Sequence, residues 1–306
     1  MTNKNLLILG GTGFIGSHLA DKAVNEGYNV GVISLNAPLT QWVNKNIKYI
    51  KLDLANLNEV KNFNELNYEY IINLSGYIDH SSYSKQGRSI IDTHFNAIQI
   101  IIDKLLTKKI KRFVQIGSSD EYGNNISPQS EDMREDPITP YSYAKTALTH
   151  FLQMLHKTEN FPCVILRLFL VYGPRQKLDR FIPQVITGWL KNNEFDTSQG
   201  NQLRDFCYVD DIVHAILKSL ENEEVNGKIM NVGSGKPIKI KSMISLINQI
   251  IQKGKPNFGG FVSKKIENPS LYPNIDSVKK ILNWQPKVDL EDGLKLTIDH
   301  YRNLIS

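Results

Sequence analysis

Short runs that are apolar at nearly every position recur along the chain: "LLILG" (6–10), "NVGVIS" (29–34), "IKYIKL" (47–52), "YIINLS" (70–75), "RFVQIGS" (112–118) and "CVILRLFLV" (163–171). A strand with one wet face alternates apolar and polar residues. Runs without that alternation indicate strands covered on both faces, as in a parallel sheet. Between them, 14–26, 89–106 and 142–158 carry helical spacing. Strand, helix and strand in series predict right-handed crossovers and an α/β fold with a doubly wound parallel sheet. After about residue 172 the rhythm loosens, with prolines at 174, 183 and 237 and the irregular stretch "KGKPNFGGFVSKKIENPSLYP". No internal repeat or low-complexity tract interrupts the pattern.

The first predicted strand runs into "LGGTGFIGSHLA", where two glycine registers coexist. Gly11, Gly13 and Gly16 give G-x-G-x-x-G, and Gly10, Gly13 and Gly16 give G-x-x-G-x-x-G. In either, one glycine permits a tight turn, one admits a pyrophosphate to the backbone, and Gly16 lets the helix pack close to the sheet. The helix N-terminus that follows offers free N–H groups to an anion. A dinucleotide-binding Rossmann domain is therefore expected over 1–172, with 207–232 returning to it. Residues 173–206 and 233–306 form a smaller, irregular substrate lobe. Thr12, Phe14 and Ile15 in the turn, and Leu54 and Leu74 near the ends of the third and fourth strands, complete the candidate cofactor contacts.

An acid at the end of the second strand would select NAD through the ribose hydroxyls. That place holds Ser34, followed by Leu35 and Asn36. With no carboxylate to repel a 2′-phosphate, NADP is expected in preference to NAD, although no arginine stands nearby in sequence to hold that phosphate. Asp53, after the third strand, is a candidate for the adenine edge and equally for the N-cap of the next helix.

In "TPYSYAKTALTHF" (139–151), Tyr141 precedes Lys145 by four residues, one turn apart on a helix face. An ammonium beside a phenol favours the phenolate and lowers its pKa toward working pH, as a general acid–base group requires. The fifth strand ends in "IGSSDEYG", which sets Ser118 and Ser119 at the carboxyl edge of the sheet, where such folds bind ligands. Ser118 can donate to a substrate oxygen while Tyr141 exchanges its proton.

Composition narrows the partners. A net charge of +5 spread over 306 residues suits an anionic small molecule but makes no nucleic-acid footprint. The densest run, "TKKIKR" (107–112), is expected to be a solvated helix end. Two isolated cysteines, Cys163 and Cys207, point to a reducing cytoplasm rather than a disulfide framework. No stretch is apolar enough for a signal peptide or a membrane span. The histidines show no metal-ligand spacing, so no metal is expected.

At this point the chain resembles the extended short-chain dehydrogenase/reductases, the NAD-dependent epimerase/dehydratases that act on nucleotide sugars. The resemblance runs over essentially the whole length, in "GGTGFIG", "SSDEYG", "PYSYAK", "RLFLVYGPRQ", "LRDFCYVDDIVHAI", "NVGSG" and "LNWQPKVDLEDGL". It implies that Ser118, Tyr141 and Lys145 form the catalytic trio, with Lys145 also holding the nicotinamide ribose. It implies that Gly10, Gly13 and Gly16 form the phosphate turn. Asn96, in "DTHFNAIQI", matches an asparagine that supports the active-site helix. Arg204, in "LRDF", resembles an arginine that meets the substrate diphosphate, as a guanidinium does well. Its alternative is a surface ion pair with Asp205. Arg175, and Lys264 where some relatives carry arginine, are counted with Asn96, Arg204 and Ser118 as candidate substrate contacts. A nucleotide-diphosphate sugar as substrate and a homodimer through the helices near 89–106 and 142–158 follow from the same resemblance.

Three reactions compete. A 4,6-dehydratase carries Asp-Glu or Ser-Glu after the serine or threonine of the trio, and here Ser119 and the shorter Asp120 stand there as auxiliary candidates. A C4 epimerase retains NAD and would be expected to keep an acid at Ser34. A 4-keto-sugar reductase needs only the trio and a reduced cofactor, and "GSSDEYG" looks like the corresponding reductase segment. Hydride transfer at C4 is thus expected, first as reduction of a 4-keto group. Epimerase or dehydratase is the alternative, and a non-catalytic dinucleotide-binding scaffold or sensor stands outside the enzyme class.

Overall fold

The computed structural model describes residues 4–192, 194–260 and 268–305. Its strands are β1 (Lys4–Leu9), β2 (Tyr28–Ser34), β3 (Ile47–Lys51), β4 (Tyr70–Asn73), β5 (Arg112–Ser118), β6 (Cys163–Leu168) and β7 (Leu170–Tyr172). Further on come β8 (Glu194–Thr197), β9 (Leu203–Arg204), β10 (Phe206–Tyr208), β11 (Ile229–Val232), β12 (Ile238–Lys239), β13 (Lys255–Phe258) and β14 (Ser270–Leu271). The helices that alternate with the early strands are α1 (Phe14–Asn25), α2 (Leu57–Asn62), α3 (Arg88–Ile91), α4 (Ala97–Leu105) and α5 (Pro140–Glu159). Those of the later chain are α6 (Phe181–Leu190), α7 (Val209–Glu221), α8 (Ile240–Ile251), α9 (Asp276–Leu282) and α10 (Leu290–Ile305).

Seven strands form one parallel sheet in the order β11-β6-β5-β4-β1-β2-β3. This is the expected doubly wound Rossmann arrangement, with the order reversing between β1 and β4. The uniformly apolar runs take its centre: every residue of β4, β5 and β6 is buried. One face packs Leu6, Ile8, Val30, Val114 and Leu166 against α1 and α7. The other packs Leu7, Leu9, Ile71, Phe113 and Ile165 against α4 and α5.

The expected strand over 163–171 breaks in two. The Phe169 N–H bonds to the Val232 carbonyl (3.2 Å), which closes the end of β6 against β11. Beyond it the chain leaves the sheet, and β7 pairs instead with β10. The stretch 89–106 is also not one regular helix. A wide π-turn over Asp92–Asn96 separates α3 from α4, and another over Tyr83–Gly87 precedes α3. Such turns cluster at functional sites. Arg112, expected in a solvated run, is buried, and its Nη2 donates to the Asn222 carbonyl (2.8 Å).

The later chain gathers α6, α8 and α10 with the small ladders β12-β9-β14 and β13-β8. Asp211 in α7 ties the closing "LNWQPKV" to the sheet, accepting from Lys287 and Val288 N–H at 3.0 Å each. No helix among the described residues is long and apolar enough to cross a membrane.

Candidate active site

The glycine turn resolves its two registers. Gly10, not Gly11, takes the left-handed conformation (φ 80°), and a Cβ there would lie 2.7 Å from the Leu74 carbonyl oxygen. A Cβ on Gly16 would lie 2.4 Å from the Gly10 oxygen, so this glycine sets the close approach of α1 to the turn. Gly13 is exposed at the N-cap and meets only that same oxygen, at 3.3 Å. No side chain caps α1. The N–H groups of Phe14 and Ile15 are therefore left without a side-chain cap at the carboxyl edge of β1, where they could hold an anion.

Ser34 closes the turn from β2: its Oγ accepts the Thr12 N–H (3.2 Å), and the Thr12 hydroxyl donates to the Asn36 carbonyl (3.1 Å). Asp53 is not the N-cap of α2. Asn56 is, accepting from Glu59 N–H, while Asp53 Oδ1 accepts the Ala55 N–H (2.9 Å) in a tight turn. Leu54 is buried beside it.

The Ser118 end of β5 and the start of α5 converge. Thr139 caps α5 in a reciprocal box with Ser142, and Pro140 occupies the first helical turn. That fixes Tyr141 and Lys145 on the buried face, each 5% exposed. Ser118 lies near enough to Tyr141 to act on its phenol. Lys145 Nζ stands 5.9 Å from the Tyr141 ring centre and donates to the Ile116 carbonyl (2.9 Å), using one of its three donors.

The electrostatics reverse the expected sign. Burial pushes the Tyr141 phenol above its ordinary value, and Asp120 adds to this, while Ser118 eases it. Burial likewise depresses Lys145 to about 8, against a smaller upward pull from Glu121. Desolvation of both groups outweighs the mutual charge effect that four-residue spacing implies.

Beneath them lies an ionic cluster. The Glu121 carboxylate is fully buried and accepts from Ser118 N–H, the Thr149 hydroxyl and Arg167 Nε, each at 2.9 Å. Arg167 Nη2 reaches on to Glu135 (2.6 Å), and its guanidinium lies 4.6 Å over the Tyr122 ring. Ser118 is thus held by its backbone from below and by the Asp120 N–H on its Oγ (3.1 Å).

Two histidines flank Tyr141. His94 meets it edge to face at 5.1 Å and donates from Nε2 to the Tyr77 carbonyl (3.0 Å). Its Nδ1 is buried without a partner, and burial first, then Lys145, depresses the ring to about 3, so it stays neutral. His80 stands 6.1 Å from the Tyr141 ring and donates to Asp120 Oδ2 (2.8 Å), which raises its pKa against burial. Arg180, at the start of α6, acts electrostatically on both His80 and Tyr141.

A glycine turn under an uncapped helix and a serine–tyrosine–lysine cluster at the same sheet edge agree with the comparisons. Residues 6–233 match the family model for the NAD dependent epimerase/dehydratase family. The chain belongs to this family. A UDP-glucuronate 4-epimerase of Thermodesulfobacterium geofontis is 27% identical over 96% of this chain and 94% of its own length. The human dTDP-D-glucose 4,6-dehydratase is 28% identical over 98% and 90%. Among solved structures, the Bacillus cereus UDP-glucuronic acid 4-epimerase, bound to UDP-glucuronic acid and NAD, superposes with a TM-score of 0.87. It shares 27% identity over 98% of this chain and 99% of that one. These relatives are named for nucleotide sugars, and this family member is an enzyme.

Not every expected residue joins the cluster. Asn96 donates its amide to Asp92 Oδ1 (2.6 Å), within its own helical segment. Arg175 lies against α1 and the loop after β2, paired with Asp21 (2.8 Å) and stacked 5.5 Å from the Trp42 ring. Arg204 is buried in β9, and Asp205 turns away to accept from Ser234 N–H and Oγ, each at 2.7 Å. The surface ion pair considered for them does not form, and "NVGSG" is explained as the loop that satisfies Asp205. Lys264 lies outside the described residues. Ser119 is buried at 4% exposure, while Asp120 faces His80. His80, His94, Arg180 and Glu121 escaped the sequence reading, because nothing in local spacing ties them to Tyr141. No group of three or more His, Cys, Asp or Glu among the described residues could hold a metal ion.

Proposed function

We propose that the protein is a nucleotide-sugar 4-epimerase that retains NAD and oxidises C4 of its substrate reversibly. The observation that carries this reading is the buried Ser118–Tyr141–Lys145 cluster at the sheet edge beside the glycine turn. The 4-keto reductase expected first is the weaker reading, since the relatives named above are epimerases and a dehydratase. NAD is preferred to NADP on the same ground.

The chain fits the dinucleotide. The N–H groups at the start of α1 face outward without a cap, Gly13 leaves room beside them, and Lys145 keeps two donors for ribose hydroxyls. Thr12, Phe14 and Ile15 would meet the pyrophosphate, Ser34, Asp53 and Leu54 the adenosine end, and Leu74 the wall beneath. Bound NAD supplies the hydride acceptor, and its nicotinamide charge favours the phenolate that burial alone opposes. Tyr141 takes the C4 hydroxyl proton and returns it. Ser118 donates to the C4 oxygen, and Lys145 orients the cofactor ribose and stabilises the phenolate. Arg204 is assigned to the substrate diphosphate. Residues 1–172 and 207–232 would hold the cofactor, and 173–206 and 233–306 the nucleotide sugar.

The test is reduction of bound NAD, read at its absorbance, on adding UDP-glucuronate or dTDP-glucose, with inversion at C4 followed by proton NMR. Tyr141→Phe should bind NAD but turn over at least about a hundredfold more slowly. Unchanged turnover in that variant removes Tyr141 from the mechanism. A homodimer through α4 and α5 accompanies the reading. Exposed Tyr143 and Met154 on α5 supply part of such a surface, and sedimentation as a monomer at micromolar concentration refutes it.

A further inference from the structure

The carboxylate of Glu121 lies at the junction of the elements that carry the site. Its Oε1 accepts the Ser118 N–H at the end of β5 (2.9 Å). Its Oε2 accepts the Thr149 hydroxyl of α5 and Arg167 Nε of β6, each at 2.9 Å. Room for it under the serine comes from Gly117, where a Cβ would stand 2.6 Å from Oε1. Thr149 follows Lys145 by one turn on the buried face of α5, which brings the carboxylate within a turn of the ammonium. The side chains of Glu121 and Arg167 are both 0% exposed. A cap on a short turn needs neither full burial nor a guanidinium, and a buried ion pair adds little stability over apolar residues of the same volume. The stability of the fold therefore does not account for this pair, and the groups above it do.

We propose that Glu121 is a positioning residue for the reaction: its carboxylate fixes the Ser118 backbone at the sheet edge and keeps Lys145 a cation beside Tyr141. The proposal rests on the reading that Ser118, Tyr141 and Lys145 oxidise C4. Burial drives Lys145 toward the neutral amine, and Glu121 is the charged group that opposes this. The other groups facing Lys145 are the Ile116 carbonyl, which accepts from it, His94, which is neutral, and Tyr141 on its own helix. Asp120, His80 and Arg180 stand around Tyr141, while Glu131, Glu135 and His150 lie beyond Arg167. The direct action of Glu121 on Tyr141 opposes the phenolate and is smaller than that of Asp120. Its main effect is thus to extend the pH range over which Lys145 stays protonated, and this sets the alkaline limit of turnover.

The test follows Lys145 directly. In the full chain carrying isotopically labelled lysine, the Lys145 Cε resonance, identified by its loss in Lys145→Met, reports the charge by NMR without turnover. Glu121→Gln should lower the pH at which it titrates by about one unit or more, the size of effect that a close opposite charge has. Glu121→Asp keeps the charge on a shorter stem and should restore most of that shift. Because an unpaired Arg167 can prevent Glu121→Gln from folding, Glu121→Gln/Arg167→Met is measured as well, with the same downward shift expected. In parallel, the alkaline limb of NAD reduction by UDP-glucuronate or dTDP-glucose should move down in Glu121→Gln and stay near the wild-type position in Glu121→Asp. A role in folding alone would lower the rate at every pH and leave the limb in place.

Lys145 titrating at the wild-type pH in the variants that lack the carboxylate overturns the proposal, as does an equal shift in Glu121→Asp and Glu121→Gln. Reduction of NAD with an unmoved limb in Glu121→Gln also overturns it and leaves the 4-epimerase reading in place. A lysine shift in a chain whose bound NAD neither sugar reduces supports the link between Glu121 and Lys145 and refutes the epimerase.

Discussion

Replacing Lys145 by Met should stabilise the folded chain while abolishing turnover. Lys145 is 5% exposed, and burial lowers its pKa from 10.5 to about 8. Such a drop makes the charged ammonium about 3 kcal/mol less stable in the folded chain than in water. Met keeps the stem volume without the charge, but it leaves the Ile116 carbonyl without its donor, a loss of about 1 kcal/mol. The net expectation at pH 7 and in the absence of cofactor is a gain of about 2 kcal/mol. The pH dependence has a definite sign. Between about pH 8 and 10.5 the folded chain holds fewer protons at this site than the unfolded chain. The wild-type protein therefore gains stability as pH rises through that window, and the variant lacks this gain. Urea denaturation of both proteins at pH 7 and pH 10 measures it, with Lys145→Met ahead at the lower pH and the gap closed at the higher. Lys145→Met less stable at pH 7, or a gap of the same size at both pH values, would refute the claim that burial dominates this group.

Gly16→Ala should lose cofactor binding and melt earlier, because its Cβ would sit 2.4 Å from the Gly10 oxygen and 2.7 Å from Gly11 Cα. Gly13→Ala, whose nearest contact is 3.3 Å, should fold with little change, and equal melting temperatures for the two variants would contradict this. Glu121→Gln leaves Arg167 beneath the site without its fully buried carboxylate, and unfolding should be easier by about 3–5 kcal/mol in urea titrations. Ser34→Asp places a carboxylate at the end of β2, and NADP binding should weaken on the order of tenfold relative to NAD. An unchanged ratio in isothermal titration would move the ribose away from Ser34.

What the sequence made legible follows from how local each signal is. Most residues of β1 and β2 and all of β4 and β5 are buried, so their apolar runs announce them directly, whereas β3, at the edge of the sheet, buries only Ile47. β11 does not announce itself: it has four residues, and one is Asn231, whose side chain accepts from the Tyr122 hydroxyl (2.8 Å) and donates to the Gln129 carbonyl (2.9 Å). A polar residue satisfied by distant partners looks, in the chain alone, like a loop. The same holds for Arg112, which reads as the end of a basic run until α7 and the loop after it come back to bury it.

The site divides along a similar line. The glycine turn and the Tyr141–Lys145 pair depend on spacings of a few residues, which a sequence displays. Glu121 and Arg167, or His80 and Asp120, meet only because right-handed crossovers set the ends of β4, β5 and β6 side by side. The direction of the pKa shifts is a further step removed, since it depends on how much water the finished fold excludes. Spacing brings an ammonium near a phenol and so predicts a more acidic tyrosine. The folded chain instead buries both, and raises one pKa while lowering the other. Without cofactor, then, Tyr141 is held protonated and Lys145 is destabilised as a cation. On the proposed function, the charge needed to reverse this would come with the dinucleotide, which would couple cofactor binding to activation of Tyr141. Tyr141 should consequently titrate at lower pH with NAD bound than without it, as seen in the ultraviolet difference spectrum. A phenol that titrates identically in both states would break that coupling and leave Lys145 with a purely positional role.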